Sequence, residues 1–255
     1  MTTVLETERL RKQFGDLVAV DDVSLAIEED DVTSIIGPNG AGKTTFYNLL
    51  TGVLAPTAGS IRLRTDGELR DITDAPPHEV ARSGLSRSYQ ITNVFDGLTV
   101  RENVQVARIA HDGRTFDLRS RTAADEALNE DVDGLLELTN LAELAETRCD
   151  ELSHGEKRNV EIALALAIEP TVFLLDEPTA GMNPTETREV VSLIRRLNDD
   201  IDATFVVTEH DMDVVTGVSD RIVVLAEGAV LADGEPREVL SDERVTEAYL
   251  GSETV

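Results

Sequence analysis

The chain predicts an α/β fold built on a largely parallel sheet covered on both faces, interrupted by an all-helical insertion. Three observations carry this. The short strand expected at 32–36 leads straight into Gly37-Pro38-Asn39-Gly40-Ala41-Gly42-Lys43-Thr44-Thr45, the kind of strand-to-helix turn that cradles phosphates. A continuous apolar run, 172–175, ends on Asp176-Glu177, as expected of a strand buried on both sides. Between them, from about residue 91 to 167, strand patterning gives way to apolar residues at helical spacing.

Taken in order, residues 4–10, 23–27, 32–36 and 61–64 read as short strands. A helix begins at Lys43 and runs to about Thr51, and Pro76-Pro77 opens a short one, because proline is tolerated in a first turn. Helical spacing recurs at 100–110, 123–138 and 156–168, while the polar, arginine-rich stretch 113–121 reads as a surface loop. Strands resume at 171–175, 203–207, 221–225 and 229–232. A helix over 184–197, capped by Asn183, separates the first two. Strand and helix alternation implies the doubly covered parallel sheet.

A chain of 255 residues can bury a sizeable core as one domain with a subdomain. No tandem duplication is visible, and no apolar run approaches the ~18 residues of a membrane-spanning helix. The start, Met1-Thr2-Thr3-Val4-Leu5-Glu6, lacks the basic and apolar regions of a secretory signal. The expectation is a cytoplasmic protein unless something docks it. Cys149, the single cysteine, has no metal-ligand neighbours at useful spacing and reads as a small apolar filler. His78 and His111 stand in no motif and are expected on the surface.

The charge is more unusual, with 50 acidic against 23 basic residues and a net charge of −27. Only Lys12, Lys43 and Lys157 are lysines. Such a surplus repels itself in dilute salt, and molar salt shortens the screening length to ~3 Å. It reads as adaptation to a salty cytoplasm such as that of halophilic archaea, the alternative being an ordinary acidic protein. It argues against nucleic acid as a partner, because phosphate backbones demand a basic footprint.

The glycines Gly37, Gly40 and Gly42 let backbone N–H groups point inward at phosphates, Lys43 spans the outer phosphates, and Thr44 offers a hydroxyl to Mg²⁺. Asp176 and Glu177 arrive at the carboxyl end of their strand, where two acids repel without a cation. The Mg²⁺ offsets that repulsion through Asp176, and Glu177 is placed to orient or deprotonate an attacking water. In Leu152-Ser153-His154-Gly155-Glu156, Ser153 and Glu156 form a capping box for the helix that follows. A helix N-terminus is also an anion site.

The order of these motifs resembles the ATPase subunit of ATP-binding cassette (ABC) transporters. The resemblance implies a phosphate-loop NTPase fold with a RecA-like core (1–90 and 168–255), an antiparallel β edge and an α-helical subdomain (91–167). It implies ATP and Mg²⁺ as ligands and two subunits closing head to tail around two ATP molecules. Each site would pair one chain's Lys43, Asp176, Glu177 and His210 with Ser153 and Gly155 of the other. Gln90, in Arg87-Ser88-Tyr89-Gln90, matches the glutamine that bridges Mg²⁺ and the membrane subunit. His210, in Thr208-Glu209-His210-Asp211, matches the switch histidine at the γ-phosphate. Phe14, before Gly15, matches the aromatic that stacks on adenine, with a core phenylalanine as the other reading.

The chain departs from the family at several points. His154 and Glu156 replace a glycine and a glutamine of Ser-Gly-Gly-Gln, and Lys157 and Arg158 are candidates to offset the added charge of Glu156. Asn183 stands where an aspartate is frequent near the dimer contact, and Asp30 where a turn glycine is usual. Asp tolerates left-handed backbone.

Phe14-Gly15 with Ala19-Val20, Asn93-Val94-Phe95, Ala180-Gly181-Met182-Asn183-Pro184, Glu209-His210-Asp211-Met212 and Ala248-Tyr249-Leu250-Gly251 resemble the ATPase of branched-chain amino-acid importers. Relatives serving urea or short amides look similar. The resemblance implies attachment at the cytoplasmic face of the membrane to two transmembrane permease subunits, served by an extracytoplasmic substrate-binding protein. The helical segment after Gln90 would meet the permease, and the second ATPase subunit is an identical or a related copy. Two other classes stay open: a non-transport ABC ATPase acting in DNA repair or translation, and a monomeric phosphate-loop kinase in which 152–156 only caps a helix.

Overall fold

The computed structural model describes residues 2–88, 94–112, 126–201 and 203–252. Two sheets organise them. The first is four-stranded and antiparallel, in the order β2-β1-β4-β5, from β1 (Thr3–Phe14), β2 (Leu17–Glu28), β4 (Ala58–Thr65) and β5 (Glu68–Asp71). The second is six-stranded, in the order β10-β9-β3-β8-β7-β6. It is made of β3 (Thr33–Ile36), β6 (Leu85–Ser88), β7 (Val172–Asp176), β8 (Thr204–Thr208), β9 (Arg221–Ala226) and β10 (Ala229–Gly234). It is parallel except at its edge, where β10 runs antiparallel to β9. The antiparallel edge expected from sequence is therefore mostly a sheet of its own.

Helix α1 (Lys43–Leu50) lies between the sheets. Its Phe46, Tyr47, Leu49 and Leu50 share one core with Leu5, Leu10, Val23 and Leu63 of the antiparallel sheet and with Val172, Leu174 and Val206 of the parallel one. The opposite face of the parallel sheet presents Phe173, Leu175, Phe205 and Val207 to α5 (His154–Leu166) and α6 (Pro184–Asp200). Alternate residues of one strand thus feed two cores, which is why β7 and β8 read as continuous apolar runs. Phe173 and Phe205 meet with centroids 5.6 Å apart and planes tilted by 50°.

A third core joins α3 (Val100–His111), α4 (Glu126–Leu138) and α5 through Val100, Val104, Val132, Leu136 and Val160, with Cys149 buried among them. The filler reading of Cys149 agrees with this, although its thiol also accepts a hydrogen bond from Asn103 at 3.2 Å. A fourth core gathers Ile36, Val215, Ile222, Val224 and Val239 under α7 (Met212–Val218), α8 (Pro236–Leu240) and α9 (Glu243–Ser252). Helix α2 (Pro77–Arg82) begins on Pro77 as expected. Asp30 is left-handed at φ 69°, so it fills the turn a glycine would. His78 and His111 are exposed. The surface loop 113–121, the first residues of the helix expected at 123–138, and Gln90 and Asn93 lie outside the described residues.

Candidate functional site

The phosphate loop runs from the end of β3 to the start of α1. Backbone crowding explains two of its glycines. A Cβ on Gly37 would lie 2.1 Å from the carbonyl oxygen of Leu225, and one on Gly42 2.3 Å from that of Ala19. Gly42 also takes φ 99° as the N-cap of α1. No side chain caps this helix and no acid sits in its first turn. Its leading N–H groups are left for an anion.

Lys43 folds back on the loop, donating to the Gly37 carbonyl at 2.6 Å and the Pro38 carbonyl at 3.2 Å. Burial pulls its ammonium below the usual lysine range, against the opposing influence of Glu177 and Asp176. These groups line one open cleft of about 360 Å³. Asn39 to Thr45 form one wall, Asp176, Glu177, Thr208 and His210 another, and Leu17, Val18 and Ala19 of the β1–β2 hairpin a third.

Strand β7 ends on Asp176, each of whose carboxylate oxygens accepts one hydrogen bond from a protein side chain. Thr208 donates to its Oδ1 at 2.7 Å and Arg87 to its Oδ2 at 2.5 Å. Glu177 turns the chain at φ 46°, and its N–H donates to the Thr208 carbonyl at 3.0 Å. Its Oε1 stands 2.7 Å from Nε2 of His210. The two segments are latched by Glu209, which is 4% exposed and accepts from the Thr179 N–H at 2.8 Å and the Thr179 hydroxyl at 2.7 Å. Glu209 also receives the His210 N–H at 3.2 Å, so one buried carboxylate ties the segment after Glu177 to the one that carries His210.

The signature segment lies elsewhere. Ser153 caps α5 and closes the capping box with Glu156, whose carboxylate accepts the Ser153 N–H at 2.7 Å. Ser153 is exposed and does not line the cleft of its own chain. Gly155 packs on α6, where a Cβ would meet Glu186 Cγ at 3.3 Å. The charge of Glu156 is absorbed by the cap. Lys157 reaches Asp96 and Arg158 pairs with Glu161, so the expected offset from these two cations is not what the structure shows. Asn183 caps α6 with the same device, accepting from Thr185 and Glu186.

Phe14 ends β1, 45% exposed, with the Lys12 ammonium 5.1 Å from its ring centroid. It belongs to the hairpin that walls the cleft, but Leu17 to Ala19, not Phe14, line it. Gln90 cannot be placed against the site, since it is outside the described residues. Sequence reading missed Arg87, Thr208 and Glu209, all of which contact the acids or the segment beside them. Their only mark in the sequence is place, which assigns no role by itself: Arg87 stands three residues ahead of Gln90, and Thr208-Glu209 follow the apolar run before His210.

Residues 20–180 match the ABC transporter family. The chain belongs to that family. Residues 229–255 of this ABC protein match a second family, described as branched-chain amino acid ATP-binding cassette transporter. The chain is 42% identical to the high-affinity branched-chain amino acid transport ATP-binding protein BraF of Pseudomonas aeruginosa, covering 97% of this chain and 98% of BraF. Its fold is similar to the ADP conformation of MJ1267, an ATP-binding cassette of an ABC transporter, with a TM-score of 0.85, 31% identity, and coverage of 98% and 100%. It is also similar to the dimeric post-hydrolysis state of the cassette MJ0796 bound to ADP and Pi, with a TM-score of 0.72, 27% identity, and coverage of 91% and 99%. Among the described residues no helix is long and apolar enough to cross a membrane.

Proposed function

We propose that this ABC ATPase energises an importer of branched-chain amino acids, working as one of two cassettes that complete each other's ATP sites beneath two permease subunits. One observation carries the catalytic reading. The Glu177 carboxylate stands 2.7 Å from His210 at the end of a cleft that also holds Lys43, Thr44 and Asp176.

ATP phosphates enter at the uncapped N-terminus of α1, where Lys43 exchanges the loop carbonyls for phosphate oxygens. The Thr44 hydroxyl and the Asp176 carboxylate are the oxygen donors that fit Mg²⁺. Among the described residues no three acids, histidines or cysteines converge, and Mg²⁺ takes one or two carboxylates plus phosphates rather than a protein cage. Mg²⁺ held by Thr44 and Asp176 would supply positive charge against the charge developing on the transferred phosphoryl group. Glu177 orients the attacking water and accepts its proton, while His210 fixes the Glu177 carboxylate and faces the γ-phosphate. Exposed Ser153 and the N-terminus of α5 serve the nucleotide of the partner, and their absence from the chain's own cleft supports this. Closure drives the permeases, and loss of the γ-phosphate releases the two halves. The segment 91–167, which follows Gln90 in the chain, acts as the subdomain that meets the permease. Such a subunit sits at the cytoplasmic face of the membrane.

Cargo identity rests on the match of residues 229–255 and the likeness to BraF. The test is ATP hydrolysis by the assembled transporter in proteoliposomes. Stimulation by a binding protein loaded with leucine, isoleucine or valine is expected. Stimulation by urea or short amides, and not by these amino acids, would overturn the assignment.

A further inference from the structure

On the face of the parallel sheet that meets α1, an arginine is buried directly behind the acid assigned to the cation. Arg87 lies opposite Leu174 in the parallel β6–β7 register, so its side chain reaches diagonally to Asp176, two residues further along β7. Its side chain is 5% exposed. One terminal nitrogen donates to Asp176 Oδ2 at 2.5 Å and the other to Asn48 Oδ1 at 2.8 Å, while the guanidinium carbon lies 5.3 Å from the centroid of the Tyr47 ring. Tyr47 is itself fully buried in α1. Helix α1, which supplies Lys43 and Thr44, and strand β7, which supplies Asp176, are therefore joined through one guanidinium.

We propose that Arg87 is a positioning residue for the divalent cation, holding the Asp176 carboxylate in the one orientation that faces the metal bound with ATP. A carboxylate offers about four lone-pair sites, and the Arg87 and Thr208 bonds take one on each oxygen. The remaining ones are left to the cleft, which Asp176 lines. Arg87 is held by Asn48 and by the Tyr47 ring, so it cannot follow the acid into the cleft. The pair persists when the cation arrives, because releasing a buried guanidinium leaves an uncompensated charge. A lysine cannot reproduce this fork, having a point charge where Arg87 has two separated donors. This inference rests on the reading of Asp176 as the cation's carboxylate.

The test uses the full chain with Mn²⁺ as probe. Free Mn²⁺ is read by electron paramagnetic resonance in the presence of a non-hydrolysable ATP analogue, and binding of a fluorescent ATP is read in chelator without metal. Partners that orient a metal ligand are typically worth 10- to 100-fold in metal affinity, so Arg87→Met is expected to weaken Mn²⁺ at least about tenfold. Arg87→Lys and Asn48→Ala, the latter retaining the guanidinium, should weaken Mn²⁺ measurably but less than Arg87→Met, because each leaves part of the arrangement in place. Metal-free ATP binding should change less than twofold in all three. Unchanged Mn²⁺ affinity in a folded Arg87→Met overturns the proposal, as does tighter Mn²⁺, which would mean the guanidinium merely repels the cation. If Arg87→Met does not fold, unchanged Mn²⁺ affinity in both Arg87→Lys and Asn48→Ala overturns it. Asp176→Asn separates the two levels. Should it leave Mn²⁺ affinity intact, the Asp176 assignment itself fails; should it weaken Mn²⁺ while the Arg87 and Asn48 variants leave that affinity unchanged, only the role of Arg87 fails.

Discussion

Glu177→Gln isolates proton transfer from everything else the residue does. The left-handed backbone at Glu177, φ 46°, costs about 1 kcal/mol and is equally strained with glutamine. The Glu177 N–H keeps its bond to the Thr208 carbonyl at 3.0 Å. The side-chain amide has the same length and still meets His210 Nε2, now 2.7 Å from Oε1, in either tautomer. Folding stability should therefore move by less than about 0.5 kcal/mol. What is lost is the base, a term of roughly 10²- to 10⁴-fold, or about 3–5 kcal/mol of barrier at 1.36 kcal/mol per decade. Phosphate release at saturating ATP, nucleotide affinity by fluorescence and the sedimentation of the ATP complex measure the three quantities. Slow release, near-normal affinity and an accumulating dimer are expected. Release within about threefold of the unmodified protein, far short of the general-base range, would refute the base assignment.

Other consequences follow from neighbouring residues. Thr179→Val removes one of the three donors on buried Glu209 and should cost about 1–2 kcal/mol in chemical unfolding, with slower hydrolysis as the latch between the Glu177 and His210 segments weakens. Burial, reinforced by Asp220, raises the Asp31 carboxyl above its ordinary value. An acid raised in the folded state stabilises only when protonated, so its contribution is present below the unfolded pKa and lost as pH climbs through the folded one. Asp31→Asn should thus melt higher near pH 7, by less than about 1 kcal/mol since solvent screens the group. The gain should shrink as pH falls toward 4, and a gain independent of pH would contradict the assigned cause. With a net charge of −27, the melting temperature should rise between dilute buffer and molar KCl, as the screening length falls from ~10 Å at 0.1 M to ~3 Å. A flat or falling profile would remove the salt-adaptation reading.

Parts of the fold that bury a continuous apolar run were readable in the chain, and parts held by pairing alone were not. Strands β7 and β8 carry their burial in four or five consecutive apolar or β-branched residues. By contrast β5, Glu-Leu-Arg-Asp, has no alternation and exists because β4 offers it a partner across Arg62 to Thr65. Strand β6, Leu-Ser-Arg-Ser, hides an arginine on its buried side, which no periodicity rule expects. Strands β1 and β2 run past their apolar segments into a polar hairpin, kept in register through several bulges. The caps at Ser153 and Asn183 were legible because their acids stand three residues on. At the site, the loop, Asp176, Glu177 and His210 could be named from motif order. Arg87, Thr208 and Glu209 could not, because each acts on another protein side chain and not on the ligand, and such contacts leave no spacing in the sequence.

If each cassette finishes the other's ATP site, two inactive variants should restore one another when mixed. Lys43→Ala spoils the cleft of its own chain, and Ser153→Ala spoils the cleft of its partner. Each alone should be nearly inactive. In an equimolar mixture about half the two-fold dimers carry one of each, with one intact site of two, so specific activity should recover to roughly a quarter of the unmodified level. A mixture no more active than its components, or Ser153→Ala hydrolysing at the full rate by itself, would contradict the shared site.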